Sequence, residues 1–175
     1  MRRIRTAQAT SDVLAATRVT LKAIRASTDA FPPLKSAVSA VLVILQLSET
    51  CKSNKKGCKH IAWRAARLVQ DIWSQTTDVH TVLPGEVTQS ILEIQTLLKE
   101  IKAFLKGLQG ENLWQRLARQ DRNKAQIDEY ERLLDEAMMH FSVQINLELS
   151  LHRLHTKSAA VGTDEHKTIL AASQM

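Results

Sequence analysis

Residues Phe31 to Leu47 read FPPLKSAVSAVLVILQL, and the fold is decided by how that stretch must be housed. Two prolines open it. They suit the first turn of a helix, where their missing N–H groups would have had no intrahelical partner. From Ala37 to Leu47 only Ser39 and Gln46 are polar. A helix that is apolar on almost every side cannot lie on a surface in water. It is either the surrounded, central helix of a bundle or an element destined for lipid. Val38, Val41, Leu42, Ile44 and Leu45 are the residues expected to form that core or insertion face.

The flanking sequence supplies the helices that could surround it. Ser11 is placed to cap a first amphipathic helix reaching Ala26, with Val13, Leu14, Leu21 and Ile24 inward and Arg18, Lys22 and Arg25 on a basic stripe. Phe31 before a proline ends that element, and the second helix is expected from Pro33 to Thr50. Ser53-Asn54 then caps a third helix from Lys55 to Thr77, whose stripe is Ile61, Ala65, Leu68 and Ile72, widened by Ala62, Val69 and Trp73. After the turn at Pro84-Gly85, Val87, Ile91, Ile94, Leu98, Ile101, Leu105 and Leu108 recur in alternating steps of four and three. That heptad stripe belongs to helices packed about 20° off (anti)parallel.

Gly107 and Gly110 close the fourth helix, and LWQRLARQ (Leu113–Gln120) reads as a short basic helix. A long last helix follows from Asp121 to His155. Ile127, Tyr130, Leu134, Ala137, Phe141 and Ile145 point inward, and Asp128, Glu129, Glu131, Arg132, Asp135 and Glu136 form an exposed face. The fold class expected is all-α: an antiparallel four-helix bundle with an additional N-terminal helix and a long last helix. Residues 1–10 are a basic N-terminal segment, 11–155 the helical bundle, and 156–175 a tail or the start of a connector.

Composition agrees. With 5 Gly and 3 Pro in 175 residues there are few turn formers, and with aromatics at 4% the packing must come from aliphatic side chains. The formal charge of +6 points to anionic partners such as a membrane surface or nucleic acid. MRRIRTAQATSD is basic, but no apolar core of a secretory signal follows it, and no run reaches the roughly 18–20 apolar residues of a spanning helix. A cytoplasmic protein is expected. Cys51 and Cys58 read as reduced thiols beside a helix–helix turn; a disulfide closing the small loop stays open, but no disulfide framework is implied. Cys-x6-Cys lacks the spacing of a zinc knuckle.

Catalysis finds little support. His152 and His155, with Glu148 nearby, lie at a polar helix end, and His140 beside Met138, Met139 and Phe141 reads as boundary packing. Glu93 and Glu100 share a face balanced by Lys99, Lys102 and Lys106. No phosphate loop, nucleophile elbow or His-Glu-x-x-His motif occurs. No catalytic residue, metal or cofactor is expected, and the chain is not read as an enzyme. The charge pattern says more. From Thr50 to Gln70 there are six basic residues, Lys52, Lys55, Lys56, Lys59, Arg64 and Arg67, and no acid. Four of them crowd one tip, and Arg2, Arg3 and Arg5 add a second cluster. Either this is a solvated basic tip, or these residues contact acidic lipid, at about 1 kcal/mol for each cation near the surface. Nucleic acid is not expected, because aromatics are not interleaved with the charges.

AIRASTDAFPPLKSAVSAVLVILQLSETCKSNKKGCKHIAWRAARLVQDI (Ala23–Ile72) resembles the N-terminal helical-bundle domain of the mixed-lineage kinase domain-like (HeLo-like) family, in its basidiomycete versions. FPPLKSA entering the apolar helix, the Lys-rich KSNKK turn and the helix ending LVQDIW carry the likeness. LARQDRNKAQIDEYERLLDEAMMHFSVQINLEL (Leu117–Leu149) is similar to the family's last helix, and the likeness spans roughly Ala15 to His155. The resemblance implies a bundle that self-associates when released by a regulatory region. It then engages anionic lipids, phosphoinositides among them, and permeabilises membranes in regulated cell death and innate immunity. Some members act instead as regulators or adaptors. A kinase-like or sensor region is expected to be absent or to lie outside these 175 residues.

Overall fold

The structure is a computed structural model. It describes the backbone of residues 2–28, 31–52, 54–77 and 84–172, and the side chains within those ranges except 2–14, 113, 116, 149 and 152–172. Among the described residues the protein is all-helical: α1 (Arg2–Ser27), α2 (Pro32–Thr50), α3 (Lys55–Thr76), α4 (Gly85–Gly110), α5 (Leu113–Ala118) and α6 (Gln120–Ala172). The chain divides into two compact units, Met1–Phe141 and Ser142–Met175.

In the first unit α2 lies against α1, α3 and α4, which makes it the most contacted helix there. Its inward residues Leu34, Ala37, Val38, Val41, Ile44, Leu45 and Ser48 are buried. Each large aliphatic among them contributes about 1.5–3 kcal/mol by leaving water. The Ser48 hydroxyl is satisfied within its own helix, donating to the Leu45 carbonyl at 2.8 Å. The expectation of enclosure on every flank is corrected, however. Leu42 is half-buried, Val43 is 40% exposed and Gln46 is exposed, so one line of α2 stays open to solvent. α1, α3 and α4 leave one line of α2 uncovered; the polar Ser39 and Gln46 lie along it and lower the cost of leaving it wet.

The α4 stripe holds throughout: Val87, Ile91, Ile94, Leu98, Ile101, Leu105 and Leu108 are all buried. So are Ile61, Ala62, Ala65, Leu68, Val69 and Ile72 on α3, while Trp73 is half-buried. From α1, Leu21 and Ile24 join the core; Val13 and Leu14 lie outside the described side chains. Ile127, Leu134 and Phe141 of α6 are buried one heptad apart, whereas Tyr130 and Ala137 sit at the boundary.

Side-chain bonds report direction. The Gln95 amide donates to the Ser36 hydroxyl and the Gln109 amide to the Thr50 hydroxyl, both across 59 residues of sequence, so α2 and α4 run the same way in register. His60 meets Glu131 at 2.7 Å, and four residues further along each helix Arg64 meets Asp135, so α3 and the first part of α6 also run the same way. Glu131 is therefore half-buried against α3 rather than on the exposed face expected for it, whereas Asp135 stays exposed while it pairs with Arg64.

Helix limits differ at both ends of the chain. α1 begins at Arg2, well before Ser11, because residues 2–10 contain no Pro or Gly and are rich in Arg and Ala, good helix formers. α6 continues past His155 to Ala172 through another proline-free, Ala-containing run.

Candidate functional site: a cationic end

α2 ends where the backbone turns at Cys51, whose N–H still donates to the Leu47 carbonyl at 3.0 Å. Asn54 then takes a left-handed conformation (φ 43°, ψ 48°), which Asn tolerates better than most residues. Its side-chain oxygen accepts from the Gly57 N–H at 3.3 Å and caps α3. A Cβ at Gly57 would lie 3.0 Å from that side chain, so Gly57 makes room for the cap. The turn thus projects Lys52, Lys55 and Lys56 into solvent, with Lys59 half-buried one turn into α3. Among the described residues none of these four is ion-paired. Arg64 and Arg67 differ: Arg64 pairs with Asp135, and Arg67 stands 3.7 Å from Asp71. The side chains of Arg2, Arg3 and Arg5 lie outside the described residues. So do those of His152 and His155.

Under the lysines sit the two thiols. Cys51 and Cys58 are both unbridged and buried, with Sγ–Sγ at 2.9 Å. Hydrogen bonding between them, then burial, pushes the Cys58 thiol far above its ordinary value of 9.0, so it stays protonated and unreactive in the folded protein.

The in-register bond from Gln109 to Thr50 brings the end of α4 to the same end of the first unit. α5 departs from there, and sequence reading missed what it displays: Trp114 is 79% exposed and Leu117 60% exposed. Their i, i+3 spacing in LWQRLA was the available signal, masked by the arginines around it. A cleft of about 370 Å³ beside α5 is lined by Phe104, Leu108, Glu111, Arg119, Arg122 and Asn123.

Among the described residues no group of three His, Cys, Asp or Glu stands close enough to hold a metal ion, and no helix is long and apolar enough to cross a membrane. Comparison with known proteins yields no match, whether to a family model, a curated protein or a solved structure.

Proposed function

We propose that this protein is a non-enzymatic bundle of the HeLo-like type that binds anionic phospholipid through its cationic end, self-associates and permeabilises membranes. In this reading it resides in the cytoplasm and moves to the membrane on activation, under a regulatory sensor or kinase-like region, with no cofactor and no nucleic-acid partner. The finer architecture proposed with it is an up-and-down arrangement of α2, α3, α4 and α6 with α1 as the additional helix, supported by the shared directions of α2 with α4 and of α3 with α6.

One observation carries the reading: Lys52, Lys55 and Lys56 are exposed and, among the described residues, in no ion pair, on a capped turn directly at the end of the most apolar helix. Solvated lysines alone preserve solubility, but four cations held on one end attract an anionic surface by about 4 kcal/mol in total. The apolar α2 behind them gains about as much from lipid as from its neighbours, since both remove it from water. A switch between the two states then needs a difference of only a few kcal/mol.

Dye release from vesicles containing phosphatidylserine or a phosphoinositide tests this. Release by the wild-type chain, reduced at least tenfold by Lys55→Glu with Lys56→Glu, is the expected result. Absence of release from every acidic vesicle, by folded protein, overturns it.

A second reading has its own observation. Val143, Leu147 and Leu151 of the second unit are exposed at steps of four on one helix, a stripe suited to another helix. It describes a helical adaptor or oligomerisation module that does not act on lipid. Concentration-dependent assembly in solution, unchanged by vesicles, is its signature.

A further inference from the structure

A tryptophan is rarely left this exposed, because its large ring gains more than most side chains from burial. Trp114 and Leu117 are presented on six residues of helix that are clasped at both ends. At the start, the Gln115 N–H donates to Asn112 Oδ1 at 2.9 Å and the Asn112 N–H donates to Gln115 Oε1 at 3.1 Å, a reciprocal capping box. At the far end the Arg119 N–H donates to the Gln115 carbonyl at 3.0 Å, and the Asn123 N–H to the Arg119 carbonyl at 2.8 Å. The two ends are joined across the base: buried Asn123 donates from Nδ2 to Glu111 Oε2 at 3.1 Å, and Arg119 stands 3.5 Å from the same carboxylate. The apolar pair is therefore held outward by a fixed scaffold.

Charge tells what it faces. Trp114 and Leu117 share the end of the unit that carries Lys52, Lys55 and Lys56, and the start of α6 adds exposed Arg122 and Lys124. The acids at this end are few: Glu111 is engaged by Asn123 and Arg119, Glu49 pairs with Arg18 at 2.9 Å, and Asp121 is exposed. Two exposed apolar side chains at the end that also carries these cations fit the boundary between headgroups and acyl chains of an anionic bilayer, where the indole N–H stays hydrated while its ring enters lipid.

We propose that Trp114 and Leu117 are the interfacial anchor of this protein: the lysine-bearing end docks on anionic lipid, and α5 then inserts these two side chains at headgroup depth. The proposal rests on the reading that the cationic end meets anionic membrane, and deepens it by naming the inserting residues. No rearrangement of the core is needed for this step, so it precedes any exposure of α2.

Trp63→Phe with Trp73→Phe leaves Trp114 as the sole indole of the 175 residues. With vesicles of phosphatidylcholine and phosphatidylserine its emission is expected to shift to the blue and to be quenched by bromine placed high on the acyl chain. In parallel, Trp114→Ala with Leu117→Ala in the otherwise wild-type chain leaves folding intact, because both side chains are exposed. Flotation of that variant at low salt is expected to be about tenfold weaker or more, and flotation at high salt to be lost. Wild-type flotation with no change in Trp114 emission and no loss in the double variant overturns the anchor while leaving electrostatic docking in place. No flotation of the wild-type chain overturns docking and anchor together. A blue shift that grows with protein concentration in the absence of vesicles assigns the surface to a second copy of the chain and overturns the lipid anchor.

Discussion

The Cys51–Cys58 pair shows how one contact couples charge to stability. The folded state holds the Cys58 proton far more tightly than the unfolded chain does, so folding is favoured while both states are protonated, below about pH 9.0. As pH rises above that value the unfolded chain releases the proton and the folded chain does not, and stability falls by about 1.4 kcal/mol per pH unit. Urea unfolding between pH 7 and 10.5 checks this: the wild-type midpoint falls above pH 9, and the fall is shallower in Cys58→Ala. From sequence these residues read only as reduced thiols near a turn. Their approach to 2.9 Å depends on the left-handed Asn54 and on the room at Gly57, two features that pattern does not reveal.

Helices whose apolar residues keep a regular stripe were legible at the scale of elements. All seven positions of the α4 heptad are buried, because a 3.5-residue repeat commits one face to its neighbours. Leu98→Ala is accordingly expected to cost about 2–5 kcal/mol in chemical unfolding. On α2 the pattern over-promised. With almost every residue apolar it carries no stripe, so composition alone could not say which line would stay open, and Leu42 to Val43 proved to lie along it. The contrast is measurable within two adjacent residues: Ile44→Ala should cost about 2–5 kcal/mol, and Val43→Ala no more than about 0.5 kcal/mol. Helix ends were least legible. Neither the start of α1 nor the end of α6 is marked by Pro or Gly; Ser11 offers a cap that α1 does not use as its start, and the periodicity that fades after His155 does not end α6. α5 was expected as a short helix and is one, but six positions are too few to show a period, so Trp114 and Leu117 emerged only once their exposure was known.

For the molecule, position matters more than total charge. The +6 excess would mean little if spread evenly. Arg18, Arg64, Arg119 and Arg132 are engaged by Glu49, Asp135, Glu111 and the Glu129–Glu136 pair, whereas the lysines of the α2–α3 turn have no such partner among the described residues. Exposed lysines without an ion pair among the described residues are thus gathered at the end of the first unit from which α5 departs. Screening at high salt should therefore weaken membrane association, while folding stability, held by the aliphatic core, changes little. The most direct measurement is flotation of the folded 175-residue chain with vesicles of matched size, neutral or containing phosphatidylserine, over a series of salt concentrations. Association with the acidic vesicles alone, strong at low salt and declining as salt is raised, is the predicted result; equal association with neutral vesicles, or none with either, would contradict the account.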